Sequence, residues 1–315
     1  MIIVTGGAGF IGANLIKTLN DRGEDDILVV DDLTDGRKFA NLVDCTFADY
    51  LDREDFRDRI RGGEDFGPVA AVFHQGACTD TVEQDGRYML DTNYEASKEI
   101  LGWCQARKVP LVYASSAAVY GEVERLPITE DAPTRPLSAY GADKLGSELH
   151  ARVAGAVYGV PTIGFRFFNV FGPRQDPRSP YSGVISIFCD RFARGAGVDV
   201  YGDGGQTRDF IAVGDIVAGL LAGMEAASTD APVLNLCTGR ATSVLELART
   251  IAGLCGAAPA ITHRDPRAGE IRHSVGSAEA ARAMLGLGAP QGLAEGLAEV
   301  VAWLRADRPG LAPAT

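Results

Sequence analysis

The chain has 315 residues, 46% of them apolar and 23% charged, with a formal net charge of −12. That length exceeds one simple core and points to two lobes, while the composition is that of an ordinary globular protein. The acidic balance excludes the clustered basic footprint of a nucleic-acid binder, and no apolar run reaches the length of a membrane span.

In chain order, Ile2–Thr5 reads as a strand. A glycine loop, Gly6-Gly-Ala-Gly9-Phe10-Ile11-Gly12, follows it, and Ile11–Leu19 has helical spacing. The first residues carry no charged n-region, so they are expected as a strand rather than a signal peptide. Further strands are predicted at Ile27–Val30, Ala70–His74, Leu111–Ala114, Pro161–Phe168 and Val233–Leu236, and helices at Asp91–Arg107 and Tyr140–Tyr158. Strands alternating with helices predict an α/β fold, a Rossmann-like doubly wound parallel sheet covered on both faces.

After Gly172 the chemistry turns to loops, with three prolines between 173 and 180. A smaller C-terminal substrate lobe is expected there. The division is a dinucleotide-binding domain over 1–170 with a return segment near 208–240, and a substrate lobe over 171–207 and 241–310. The tail from 308 to 315 has little to pack and is expected to fray. The six cysteines form no CxxC and no Cys/His cluster, which fits reduced thiols in a cytoplasmic protein and no metal site.

The glycine loop stands where a strand hands over to a helix. Glycines let the backbone turn tightly and let a diphosphate approach, while the helix N-terminus offers N–H groups and a positive dipole end. Gly6, Gly9, Phe10, Ile11 and Gly12 are therefore predicted to hold a dinucleotide. Asp31, at the end of the second strand, can accept hydrogen bonds from the adenosine ribose. Asp31 and Asp32 repel a 2′-phosphate and favour NAD. Arg37, Lys38 and Arg53 could instead neutralise that phosphate, which keeps NADP as the alternative.

Tyr140 and Lys144 are spaced i, i+4 at the start of a helix and so share one face. A tyrosine of ordinary pKa, about 10, is a poor base at neutral pH. A neighbouring ammonium is expected to favour the phenolate. Ser116, after a strand, can orient a substrate oxygen and share the proton. Lys144 can also bond the nicotinamide ribose.

These pieces resemble the extended short-chain dehydrogenase/reductase family, whose members act on nucleotide sugars. The carriers are the Thr5–Gly12 loop, Ser116, the Tyr140/Lys144 pair and Arg166-Phe-Phe-Asn169-Val-Phe-Gly-Pro-Arg174, and the likeness spans nearly the whole chain. The resemblance implies a dinucleotide reduced and reoxidised in each turnover. It implies Asp49 and Tyr50 by the adenine, Gly76, Ala77 and Asn93 along the cofactor cleft, and Asn169 on the substrate diphosphate. It also implies a homodimer formed through two helices per subunit, for which Asp91–Arg107 and Tyr140–Tyr158 are the candidates.

Two branches compete. The first 120 residues resemble ADP-glycero-manno-heptose 6-epimerase, through Leu28–Leu33, Asp35–Phe39, Gly76–Cys78 and Asp85–Tyr88. The later half resembles UDP-hexose 4-epimerases, through Pro173–Pro177, the 179–185 motif, Tyr201–Gly204, Gln206–Phe210 and the 269–274 motif. In the heptose enzyme a lysine after the GPR motif is a second acid/base. The matching residue here is Arg178, which stays protonated and cannot be a base. A 4-epimerase needs one base, so the expected activity is a UDP-hexose 4-epimerase, an isomerase, with the heptose 6-epimerase as the alternative. Arg208 and Arg272 are candidates for the substrate diphosphate or for surface ion pairs, and Tyr201 for the nucleotide base or the core. His74 reads as structural. A dehydratase would need an Asp-Glu pair after the catalytic serine, whereas Ala117 and Ala118 stand there.

Overall fold

Short runs of apolar and β-branched residues, buried on both sides, build the central layer. In the computed structural model, which describes residues 1–80, 83–178, 183–266 and 271–306, these are β1 (Ile2–Thr5), β2 (Ile27–Asp31), β3 (Asp49–Asp52), β4 (Ala71–His74), β5 (Leu111–Ser116) and β6 (Thr162–Phe167). Between them come α1 (Phe10–Asp21), α2 (Arg53–Arg61), α3 (Gly86–Met89), α4 (Ala96–Arg107) and α5 (Ala139–Tyr158). The second half contributes β7 (Asn169–Phe171), α6 (Val184–Ala193), β8 (Val198–Tyr201), β9 (Thr207–Arg208), β10 (Phe210–Ala212), α7 (Val213–Ala226) and β11 (Val233–Leu236). It closes with β12 (Thr242–Ser243), α8 (Val244–Cys255), β13 (Ile261–Arg264), β14 (His273–Ser274), α9 (Glu279–Leu285) and α10 (Leu293–Arg305). The tail from 308 to 315, positions 179–182 of the 179–185 motif and positions 269–270 of the 269–274 motif lie outside the described residues.

Seven strands pair in parallel in the order β11-β6-β5-β4-β1-β2-β3. Side-chain alternation sends Ile3, Leu28, Val30 and Val72 to one face, where α2, α4 and α5 contribute Phe56, Ile100, Leu101 and Ala151. It sends Ile2, Val4, Ile27, Val29 and Phe73 to the other, against Leu15, Ile16, Ile216 and Leu220 of α1 and α7. This is the doubly wound parallel sheet expected from the sequence. Strand order reverses between β1 and β4, so their carboxyl ends open a crevice where ligands bind in such sheets.

A separate apolar cluster joins Phe188 and Phe192 of α6, Leu247 and Ile251 of α8, and Leu297 and Val300 of α10. Two- to four-residue strands run beside it: β9 lies between β12 and β14, and β8 pairs with β13. Two details differ from the sequence reading. The predicted helix at Asp91–Arg107 begins as a π-helical turn, Leu90–Glu95, before α4. An unpredicted strand, β3, forms the sheet edge, and α2 follows it. No disulfide joins the cysteines, and no helix among the described residues is long and apolar enough to cross a membrane.

Candidate active site

The crevice is a cavity of about 840 Å³ at the carboxyl ends of the strands. Its floor is the glycine loop. Gly6 has φ 69°, and a Cβ there would meet the Gly76 nitrogen at 2.6 Å; one on Gly12 would meet the Gly7 Cα at 2.8 Å. The loop folds only because these side chains are absent. Gly9 gives α1 no side-chain cap and its first turn holds no acidic residue, so no side chain of its own covers the helix start where it meets the cavity. That arrangement suits a diphosphate.

Asp31, buried at the end of β2, accepts from the Ala8 N–H at 2.8 Å and from its neighbour's N–H at 2.7 Å. Lys38 Nζ donates to the same carboxylate at 2.9 Å and to the Asp32 carbonyl at 2.9 Å. Arg53 lies 3.8 Å from the Asp32 carboxylate, and hydrogen bonds from Thr34 hold the Asp32 carboxyl below its usual range. Two of the cations that could meet a 2′-phosphate, Lys38 and Arg53, are thus engaged with the carboxylates that would repel it, and the third, Arg37, pairs with Asp35.

At the opposite end stand the three catalytic candidates. Ser116 ends β5, and its Oγ accepts the Ala118 N–H at 3.2 Å. Tyr140 lies in the first turn of α5, whose start is fixed by the Ser138 hydroxyl accepting the Gly141 N–H at 3.2 Å. The Ser116 hydroxyl stands near enough to the Tyr140 phenol to favour its phenolate form. Lys144 is 2% exposed, with Nζ 5.8 Å from the centre of the Tyr140 ring.

The electrostatics correct one expectation. Lys144 was expected to lower the phenol's pKa; instead burial pushes Tyr140 up to about 12, against a smaller downward pull from the Ser116 hydrogen bond. The same burial pulls Lys144 down to about 8, opposed by the neighbouring Asp143 carboxylate. Desolvation is the largest influence on both groups.

Behind this wall, Glu148, one turn beyond Lys144, is buried. It receives Arg166 Nε at 2.9 Å and Nη2 at 2.7 Å, together with the Ser115 hydroxyl. Arg166 also donates to the Tyr120 hydroxyl at 2.8 Å, which donates to Asn235 at 2.7 Å. The network ties α5 to β5, β6 and β11.

The cavity wall brings together Gly6, Gly9, Phe10, Ile11, Gly12, Asp31, Asp32, Lys38, Gly76, Ala77, Ser116, Tyr140, Lys144 and Asn169. Other candidates stand outside it. Asp49 is exposed, and the Tyr50 hydroxyl donates to the Asp31 carbonyl at 2.8 Å, supporting β2 from behind. Asn93 acts as a brace: its amide accepts from the Cys78 N–H at 2.8 Å and donates to the Cys78 carbonyl at 3.0 Å. Arg178 pairs with Asp176 at 3.1 Å. Arg208, on β9, and Arg272, just before β14, come side by side: the Thr207 N–H donates to the Arg272 carbonyl at 3.0 Å. Arg272 grips both oxygens of Asp203 at 2.8 Å, Arg208 donates to the Thr207 carbonyl at 2.9 Å, and Tyr201 ends β8 half-buried. Two other wall residues, Asn41 and Gln75, carry no signal in the sequence, and Gln175 stood there only as part of the Pro173–Pro177 motif. His74 also lines the wall. It is bonded to Thr5 at 2.7 Å and Ser97 at 3.0 Å, and burial pushes its pKa down to about 3.

Residues 2–237 match the NAD dependent epimerase/dehydratase family. Among solved structures, a UDP-glucose 4-epimerase from Thermotoga maritima with UDP-glucose is 32% identical, with a TM-score of 0.89 over 96% of this chain and 98% of that one. A UDP-N-acetylglucosamine 4-epimerase from Methanobrevibacter ruminantium, in complex with UDP-N-acetylmuramic acid, is 30% identical, with a TM-score of 0.86 over 96% and 97%. A UDP-glucose 4-epimerase from Thermus thermophilus, in complex with NAD, is 31% identical, with a TM-score of 0.85 over 96% and 98%.

Proposed function

Since the chain belongs to the NAD dependent epimerase/dehydratase family, we propose that it is an isomerase that inverts C4 of a UDP-hexose, with NAD as its resident hydride carrier. The observation that carries this reading is the meeting of Ser116, Tyr140 and buried Lys144 on the wall of the cavity that starts at the glycine loop. The uncapped start of α1 and Asp31 would hold the diphosphate and adenosine ribose, and Lys144 the nicotinamide ribose. When bound, NAD accepts a hydride from the sugar carbon and returns it.

Ser116 orients the O4 hydroxyl, and Tyr140 takes its proton as the phenolate while C4 becomes a ketone; the Lys144 ammonium and the positive charge of a bound nicotinamide would favour that form against the burial that raises the phenol's pKa. The ketosugar turns over, and Tyr140 returns the proton once the opposite face of C4 has been reduced. One base suffices, which agrees with Arg178, a permanent cation, standing after the GPR motif. Ala117 and Ala118 after the serine supply no acid for elimination, so the dehydratase branch is disfavoured. Arg178, Tyr201 and Arg272, on a lobe formed by 171–207 and 241–310, are the proposed substrate contacts, together with Asn169 and Arg208 at its border with the dinucleotide-binding domain.

The test is incubation with UDP-glucose, UDP-N-acetylglucosamine and ADP-glycero-manno-heptose separately, with each stereocentre followed by NMR. Inversion at C4 of a UDP-sugar is expected; conversion of the heptose alone overturns the reading.

A second copy of the chain is the proposed cover for a stripe on α5. Leu149, Val153 and Val157, four residues apart, are 47%, 47% and 65% exposed. Sedimentation should give a dimer that Val153→Lys converts to a monomer; a monomeric wild-type protein excludes it.

A further inference from the structure

Two loops distant in sequence meet across the cavity. One runs from the end of β2 through Gly36–Asn41 to Asp44; the other leaves β7 at Gly172. Arg174 joins them. Its φ is 73°, the left-handed region that a residue with a side chain seldom occupies unless its surroundings hold it there. Its buried guanidinium donates to both carboxylate oxygens of Asp44, at 2.8 and 2.9 Å, and to the Asn41 carbonyl at 2.7 Å.

The contact continues into the glycine loop. Asn41 Nδ2 donates to the Ala8 carbonyl at 3.1 Å, and Asn14 Nδ2, from α1, donates to the Pro173 carbonyl at 3.0 Å. A chain of hydrogen bonds therefore runs from the phosphate-binding loop through Asn41 to Arg174 and Asp44. Arg37 and Asp176, one from each loop, approach to 3.9 Å as a second tie. Asn41, Arg174, Arg37 and Asp176 all line the cavity. None of them belongs to the seven-stranded sheet, so the fold does not need this bridge to form its core.

We infer that Arg174 and Asp44 form a clasp that fastens the two loops over a bound dinucleotide and slows its release. The inference rests on the proposed reading of the cavity as an NAD site. It fits the chemistry of that reading: a hydride removed from a sugar must return to the same sugar, so the carrier has to stay longer than the ketosugar exists. A two-pronged arginine–carboxylate contact suits this task because it is strong when formed and opens as a unit.

Two variants test the clasp. Asp44→Ala removes a half-exposed partner, and Arg174→Lys keeps the charge but not the two-pronged contact. Each protein is loaded with NAD and diluted, and the released nucleotide is quantified over time by chromatography. Thermal melting of the nucleotide-free proteins is measured in parallel. Release should accelerate about tenfold or more in both variants, with nucleotide-free melting close to wild type. Release within about twofold of wild type overturns the clasp, even if melting falls, because the contact would then be purely structural. A wild-type protein that takes up no NAD overturns the cofactor reading itself, and the clasp with it.

Discussion

The wall carrying Tyr140 and the short-strand region around Arg208 and Arg272 are built on opposite principles. Lys144, Glu148 and Arg166 are each under a tenth exposed and anchored to a seven-stranded sheet, and every polar atom of the Glu148–Arg166 pair is used. Arg208 stands on a strand of two residues, and Arg272, just before another, is half exposed beside an exposed aspartate. Proton transfer needs groups fixed to a fraction of an ångström in a dry environment, which a packed sheet supplies. Holding a flexible diphosphate needs reach and charge, which tolerate water and thinner support.

Removing the phenol should give the largest effect. Tyr140→Phe is expected to lower kcat by about three orders of magnitude or more while NAD content after purification stays at the wild-type level. A near-normal rate would mean that the buried wall does not carry the chemistry. Next comes the brace behind it. Glu148→Ala strands the Arg166 guanidinium in the interior and should cost about 3–5 kcal/mol of stability, read by denaturant unfolding. A loss below about 1 kcal/mol, the size typical of surface pairs, would erase the contrast between the two regions.

The same contrast governs what the sequence revealed. The buried strands β1, β2, β4, β5, β6 and β11 announced themselves because apolar side chains fill both faces. The glycine loop, Ser116 and the Tyr140/Lys144 pair were legible because loop, strand end and one helical turn fix their geometry locally. β3 was hidden: as an edge strand its Asp-Tyr-Leu-Asp run has no residue buried enough to leave a pattern. Only Phe56 and Ile60, four apart in the charged α2, marked that helix. The π-helical turn that seats Asn93 has no composition signal at all. Arg174 finds Asp44 across 130 positions and Tyr120 finds Asn235 across 115, and spacing carries no trace of such pairs. The rise in the Tyr140 pKa was misjudged because its cause is burial by distant elements, not the lysine next to it.

Acid should separate the regions by a smaller amount. His74 sits on the sheet side, against Thr5 and Ser97 and within the field of Lys144, with its pKa held near 3 instead of the ordinary 6.5. Between those values the unfolded chain binds a proton that the folded one refuses, so its stabilising contribution is complete above pH 6.5 and is lost as pH falls toward 3. The total is on the order of a few kcal/mol. His74→Gln should flatten the pH dependence of unfolding in that window. An unchanged slope would show that the imidazole titrates normally.

The smallest expected effect is the sharpest probe of the short-strand region. Arg272 pairs with Asp203 at an exposed site, so Arg272→Ala should change stability by less than about 1 kcal/mol. If its guanidinium leaves Asp203 to bind the substrate diphosphate, KM should rise about tenfold with kcat nearly constant, because the phosphate contact is equally present in ground and transition states. Asp203→Asn separates this from a structural role. Loss of the pair alone would then weaken substrate binding as much as loss of the arginine. A diphosphate contact predicts the opposite: with the Asp203 charge that competes for Arg272 removed, KM stays level or falls. Equal KM increases in the two variants would leave the arginine as an ordinary surface ion-pair partner, and substrate recognition would have to lie within the buried wall.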